Sequence, residues 1–211
     1  MEKVYTLLEE NIINMTLPPG DNLVEEDIAR SLDISRSPVR EALVRLETAC
    51  LVRKSKKGRV VASITEADII NNYEIWEMME SFAGGLASQV ATVKDLGEIE
   101  RILGEMKSVT NRDDSFPRYR DLNYQFHYHL VAPCPNQPLV QLYENALKRI
   151  HWCYNLSISW HQDLVVSYSE HTKIFEAYRA KQHESFEKRV RAHIRKALKR
   201  LRIEYSKKRS T

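Results

Sequence analysis

SRSPVREALVRLETACLVRKSKKGRVVAS, from Ser35 to Ser63, reads as one short helix carrying arginines, followed at once by a basic β-hairpin. On an ideal helix Val39, Ala42, Leu43 and Leu46 fall within an arc of roughly 100°, while Arg36, Ser37 and Arg40 lie along one flank of it. The apolar side can dock and the arginines stay free. Just upstream, EEDIARSL (Glu25 to Leu32) offers a second short helix with Ile28 and Leu32 inward, and Asp33, Ile34 and Ser35 suffice for a tight turn between the two. The pair outlines a helix-turn-helix whose second helix fits a major groove, with the hairpin as its wing.

The flanking residues agree. Val4, Leu7, Leu8, Ile12 and Met15 repeat at helical spacing until Leu17-Pro18-Pro19-Gly20 stops them, which predicts a first helix over residues 2–15. Leu51-Val52-Arg53 and Arg59-Val60-Val61 are β-prone runs around Lys54-Ser55-Lys56-Lys57-Gly58, where Gly58 can take the positive φ of a hairpin tip. Between Arg30 and Arg59 nine lysines and arginines face only Asp33, Glu41 and Glu47, although residues 1–64 as a whole carry ten of each sign. An isolated charge run is usually a solvated face. Here the helix pair, the Ser37-Pro38 helix start and the wing coincide, which points to double-stranded DNA.

The 211 residues, 43% of them apolar, allow two modest domains with real cores. No apolar run approaches the roughly 20 residues of a membrane span, and Met1-Glu2-Lys3 leads into an amphipathic helix without a secretory segment. A cytoplasmic protein with no membrane partner is expected. Cys50, Cys134 and Cys153 are odd in number and lack paired spacing, so they read as buried, reduced thiols.

From Ile64-Thr65-Glu66-Ala67-Asp68 the pattern changes to long helical periods, placing a boundary between domains 1–64 and 65–211. Helices are predicted over 66–91, 95–111, 116–131, 138–160, 163–180 and 183–206, with Asp113-Asp114-Ser115 and Pro133 to Pro138 as spacers. Asn123 and His127 share a helical face and His129 points away from it. His171 and His193 each stand 11 residues from Gln182, in the expected turn between the last two helices. About three turns out and three back bring both imidazoles to one height. Two imidazoles at one level facing a third suit a divalent transition metal, although a lone histidine is more often a hydrogen-bonded or surface residue. Tyr73, Trp76, Phe82, Phe126, Tyr143, Trp152, Tyr154 and Trp160 read chiefly as core, with one or two lining a ligand cavity. From Lys188 onward 11 lysines and arginines face Glu204 alone, a solvated face or an electrostatic attraction toward DNA or a partner subunit.

The segments LPPGDNL, IARSLDISRSPVREALVRLE and KKGRVV resemble the N-terminal domain of GntR-family bacterial transcription regulators. The resemblance implies operator contacts by Arg30, Ser35, Arg36, Ser37 and Arg40, with Lys57 and Gly58 at a minor-groove wing tip. Arg36 and Arg40 can offer bidentate donors to guanine, while the serines and wing lysines fix register through phosphates. Val24 stands where relatives often carry a capping serine, with Asp21 or Asn22 placed to compensate. Asn123-Tyr-Gln-Phe-His127, Asn136-Gln-Pro-Leu139, Ser169-Glu170-His171 and Arg191-Ala-His193 are similar to the FCD ligand-binding domain of the FadR-type branch. Many such domains hold a metal through an aspartate and three histidines, inside a helical bundle that also receives a small organic acid. The likeness implies zinc or nickel at His127, His171 and His193, with Asn123 a poorer ligand in the aspartate's place. Trp76 stands where relatives commonly carry an effector-binding arginine; Trp76 and Arg149 mark the expected effector pocket, and Arg118 is a second candidate charge.

The expectation is a mainly α protein: a winged helix-turn-helix of three helices plus a β-hairpin, followed by an all-α effector-binding and dimerisation bundle. Its expected function is that of a homodimeric, sequence-specific regulator, a repressor controlled by a small metabolite and not an enzyme. One rival is a direct divalent-metal sensor, in which metal alone changes operator affinity. Another is a metal-dependent hydrolase fused to a DNA-binding head, with Glu170 as its nearby base.

Overall fold

The computed structural model describes residues 2–56, 58–110, 116–155 and 164–208; Lys57, the spacer 113–115 and Trp160 lie outside them. The chain divides into two compact units, Met1–Thr65 and Glu66–Thr211.

In the first unit, α1 (Glu2–Ile13) buries Val4, Leu8 and Ile12 and packs on α3 (Arg36–Thr48). It ends two residues earlier than its apolar period, because Met15 turns the chain at φ 64° before the prolines. Gly20, at φ 94°, then donates its N–H to the Val61 carbonyl at 3.0 Å, and the Val61 N–H returns to Asp21 at 2.9 Å. This lays a strand not expected from the sequence, β1 (Asn22–Leu23), antiparallel to β3 (Gly58–Val61). β2 (Val52–Ser55) pairs on the other side, giving the order β1-β3-β2. Ser55 lies opposite Gly58, whose φ of 121° closes the wing.

Between them α2 (Glu25–Ser31) starts at Val24, which makes no side-chain cap; Glu25, Glu26 and Asp27 fill its first turn instead, where the helix dipole favours negative charge. The turn to α3 is a Schellman closure around Asp33 at φ 52°: the Asp33 N–H reaches Arg30 and the Ile34 N–H reaches Ala29. The same device ends α3 at Cys50, φ 58°, with Leu51 bonded back to Leu46. That position is usually glycine's, and it leaves Cys50 exposed rather than buried; Cys134 and Cys153 are buried.

The second unit comprises α4 (Glu66–Val90), α5 (Val93–Val109), α6 (Phe116–Val131), α7 (Gln137–Asn155), α8 (Leu164–Arg179) and α9 (His183–Lys208). α4 is the central rod, packed by α6, α7, α8 and α9. A capping box starts α5: the Thr92 N–H donates to Asp95 at 2.8 Å and the Asp95 N–H to Thr92 Oγ1 at 3.3 Å. α8 and α9 form a hairpin closed at Lys181, φ 54°, with the Gln182 N–H bonded to Ala177.

α9 runs antiparallel to α4. Arg202 meets Glu66 at 2.8 Å, Arg195 meets Glu77 at 2.7 Å, and Arg191 reaches the same carboxylate. On α8, Glu170 receives Lys196 at 2.8 Å. Much of the basic tail is therefore the counter-charge of the acids on α4 and α8, not simply a solvated face. Toward the other end the helices nearly touch: a Cβ on Gly84 would stand 2.7 Å from the Phe186 ring, and one on Gly85 2.4 Å from His183.

Gly84→Ala is expected to destabilise the protein by about 1–3 kcal/mol, because fully buried Phe186 cannot yield, which outweighs the ~1 kcal/mol helix-propensity gain. Gly85→Ala should be nearly neutral, since the half-exposed His183 side chain can swing away. Urea unfolding of both variants checks this; equal losses would show that the Phe186 contact does not set the spacing of α4 and α9.

Candidate functional site

Arg30, Ser35, Arg36, Ser37, Arg40 and Gly58 are all exposed, at the end of α2, the start of α3 and the wing; Lys57 lies outside the described residues. Ser35 is the N-cap of α3, and Pro38 sits in its first turn, where a missing N–H costs little. Arg36 and Arg40 of α3 are held by acids of α2. Arg36 donates to Glu26 at 2.7 Å and Arg40 to Glu25 at 3.1 Å, while Arg59 of β3 bridges Glu25 at 3.0 Å and Glu47 at 3.3 Å. Local spacing cannot reveal such pairs, since the partners lie 10 to 34 residues apart. Exposed ion pairs are worth at most about 1 kcal/mol each, so they aim the guanidinium groups without preventing exchange for a phosphate or guanine.

In the helical unit α6, α8 and α9 bring His127, His171 and His193 together, all buried, with one ring nitrogen of each within 4.8 Å of the others. His171 Nε2 and His193 Nε2 are 3.1 Å apart. Each Nδ1 is turned outward to an oxygen: His127 to Glu80 at 2.8 Å, His193 to Glu170 at 2.8 Å, and His171 to the Tyr119 hydroxyl at 3.4 Å. A carboxylate only accepts, so the Nδ1 atoms of His127 and His193 carry the proton and their Nε2 atoms are turned inward, that of His193 accepting from His171 Nε2. The Nε2 of His127 is buried without a hydrogen-bond partner among the described residues.

Burial holds His171 well below the ordinary histidine range, reinforced by the charges of His193, His127 and Arg200. His193 is lowered by burial too, against the pull of Glu170. Burial alone would raise Glu170; hydrogen bonds from His193 and Lys196 overcome it and hold the carboxyl at about 2. Glu80, fully buried on α4, accepts from Trp76 Nε1 and, at 2.5 Å, from the Tyr143 hydroxyl in addition to His127. Inward imidazole lone pairs, an unpartnered buried Nε2 and two outer carboxylates form a donor set that fits a divalent metal ion.

Asn123 stands one turn before His127 on α6, half-buried, and lines a narrow cavity of about 10 Å³, room for little more than a water molecule, with Trp76, Ile150, His151 and Tyr154. Burial, then the Arg120 charge, lowers His151 to about 4, so it is neutral near pH 7. Trp76 is thus brought beside the triad, its ring 4.8 Å from that of His127. Arg149 lies off the cavity lining: Leu147, Ile150, His151 and Tyr154 share one face of α7, and Arg149 is roughly 200° round from Leu147. Arg118 is taken up by an exposed pair with Glu105. Sequence reasoning missed Glu80 and Tyr119, whose roles depend on neighbours 47 and 52 residues away.

Residues 71–196 match the FCD domain family, and residues 1–61 match the gntR family of bacterial regulatory proteins. The chain is 30% identical over 191 residues to an uncharacterized HTH-type transcriptional regulator of Bacillus subtilis, YdhC, covering 90% of this chain and 85% of that one. With the HTH-type transcriptional repressor RspR of Escherichia coli it shares 23% identity over 197 residues, 92% of this chain and 85% of that one. The solved structure of E. coli McbR/YncC superposes with a TM-score of 0.81 at 21% identity, over 96% and 97% of the two chains, a likeness of fold. These relatives are regulators, not enzymes. The chain belongs to the GntR family of bacterial regulatory proteins, in its FCD-bearing branch, and is a DNA-binding transcriptional regulator.

Proposed function

We propose that this regulator is a homodimeric repressor whose hold on its operator is set by a small organic acid, bound in the helical unit beside a divalent metal. The observation that carries the reading is the convergence of three buried imidazoles next to a cavity. His127, His171 and His193 would hold zinc or nickel, with the Asn123 amide as a weaker, neutral fourth donor. Such an ion supplies a positive centre for an acid oxygen. The chain's own part is to orient the imidazoles through Glu80, Glu170 and Tyr119, and to exclude water around them.

DNA recognition is assigned to Arg36 and Arg40 reading guanine edges, with Arg30, Ser35, Ser37 and the wing residues Lys57 and Gly58 fixing register. Two copies reading symmetric half-sites account for the dimer. The acid shifts operator affinity only by its preference between the arrangements of the paired DNA-binding units. Repression accords with the description of the relative RspR as a repressor.

Arg36→Ala and Arg40→Ala should each reduce discrimination between operator and unrelated DNA by about 1–3 kcal/mol, read by fluorescence anisotropy on genomic fragments. Ser37→Ala should weaken both kinds of DNA alike. Undiminished selectivity in the double arginine variant would remove the DNA-reading assignment.

Metal affinity provides a second test, by competition against a chromogenic zinc chelator. Glu170→Gln should weaken zinc by about 10- to 100-fold through loss of His193 orientation, and His127→Ala should lose tight binding. Asn123→Asp should tighten it, since a carboxylate is the better donor. Zinc affinity indifferent to all three changes would disprove the metal assignment.

A further inference from the structure

We infer that Glu25, the first residue of α2, is a positioning residue for DNA reading: it fixes the plane of the Arg40 guanidinium and leaves the two terminal nitrogens of that group free to fork a guanine. The inference rests on the reading of Arg40 as a base contact and adds the group that makes the contact selective.

Three arginines converge on this one carboxylate. Its Oε1 receives Arg59 Nη1 of β3 at 3.0 Å, its Oε2 receives Arg40 Nε of α3 at 3.1 Å, and Arg36 Nη2 stands 3.8 Å from the same Oε2. The Glu25 side chain is only 18% exposed and that of Arg59 17%, against 53% for Arg36 and 60% for Arg40. Glu25 and Arg59 therefore form an inner pair, and the two α3 arginines an outer layer upon it. Arg59 is held in turn from α3, where its Nε donates to Glu47 Oε2 at 3.3 Å, and Glu47 also meets Lys54 of β2 at 3.7 Å. Both wing strands are thus tied to α3, and β3 to α2 as well.

Such a network differs from a lone surface pair. An isolated exposed pair gains little, in part because two long side chains must be frozen to form it. Arg59 already holds Glu25, so Arg40 meets a stationary acceptor and only its own rotamer freedom is lost.

The atoms engaged decide what each arginine can still do. A guanidinium is planar and rigid, so a bond at Nε sets the orientation of the whole group. Arg40 uses Nε alone; its Nη1 and Nη2 have no partner among the described residues, and together they supply the two donors that guanine O6 and N7 accept. Arg40 can read a base without letting go of Glu25. Arg36 is placed differently, because its Nη1 donates to Glu26 at 2.7 Å and its Nη2 faces Glu25. It must give up a carboxylate to make the same fork.

Charge gives the role of Glu25 a signature. Its carboxylate subtracts one unit from a cationic surface that meets a polyanion. Removing that unit should strengthen attachment to any duplex through the phosphates, while loss of the Arg40 orientation should weaken the preference for one sequence. Misfolding of the helix pair would instead weaken both.

The test uses the full chain and fluorescence anisotropy on two duplexes of equal length, the genomic fragment that the wild type selects and an unrelated one. Glu25→Gln should bind the unrelated duplex about two- to fivefold more tightly, with a steeper salt dependence. Its discrimination between the two should nevertheless fall about three- to tenfold, a part of what one bidentate base contact confers. Arg59→Lys keeps every charge but replaces the two-nitrogen bridge between Glu25 and Glu47 by a single ammonium. It should lower discrimination with affinity for the unrelated duplex unchanged, and it carries the test if Glu25→Gln does not fold. Glu26→Gln should tighten both duplexes and preserve discrimination. Discrimination undiminished in Glu25→Gln and Arg59→Lys, yet lowered by Arg40→Ala, would overturn the role of Glu25 and leave the base-reading assignment standing. An equal loss in Glu26→Gln, or weaker binding of both duplexes by a natively folded Glu25→Gln, would do the same. Discrimination undiminished in Arg40→Ala would overturn both.

Discussion

The Glu80 carboxylate has no access to solvent, and the helical unit is arranged around that fact. A buried carboxylate is tolerated only when its lone pairs are met by donors, because the desolvation it suffers amounts to several kcal/mol. Here the donors come from three helices: Trp76 of α4 itself, His127 of α6 and Tyr143 of α7. Fixing them fixes α6 and α7 against the central rod, and it sets the tautomer of His127 so that Nε2 faces the other imidazoles. Glu170 repeats the device for His193 from α8. The triad is thus aligned by a ring of oxygens outside it, together with the 3.1 Å contact between His171 Nε2 and His193 Nε2.

That ring also alters the meaning of Asn123. On the proposed reading Glu80 and Glu170 stand behind two of the histidines that would hold a dication, and Lys196 offsets Glu170. A further carboxylate at position 123 would take one unit of positive charge from the filled site, whereas an amide leaves it in place. A more positive centre favours the approach of an anionic ligand. The substitution that weakens the metal site on a ligand-by-ligand view is consistent with the electrostatics of the whole centre.

How much of this was legible follows from the range of the interactions. The positions of His171 and His193 could be paired because both are measured from one turn, and the helical rise does the rest. The winged fold was legible because turn residues, arginine face and hairpin lie within about 40 consecutive residues. β1 was not, since two residues carry no periodicity and are placed by Gly20 and by hydrogen bonds to Val61. Glu80 was hidden for a different reason: a glutamate within a helix reads as solvated, and only the fold brings Trp76, Tyr143 and His127 around it. Arg149 illustrates the converse, as helical phase alone separates it from the face that Leu147, Ile150 and His151 turn toward the cavity.

The two units handle charge in opposite ways, and the contrast bears on how a signal can act. In the DNA-reading unit Arg36, Arg40 and Glu26 are largely solvent-exposed, so their pairing is weak and readily exchanged for nucleic acid. In the helical unit the Glu80 carboxylate beside the triad is fully buried and Glu170 largely so, and removing a partner of a buried charge costs several kcal/mol. A ligand entering the second environment can therefore contribute much free energy over a small displacement, because polar contacts are stronger in a buried surrounding. The DNA-reading unit needs no internal switch of its own. On the proposed reading it suffices that ligand binding favours one arrangement of a pair of chains over another, and the magnitude of regulation would then be bounded by what the helical unit gains on binding in that arrangement.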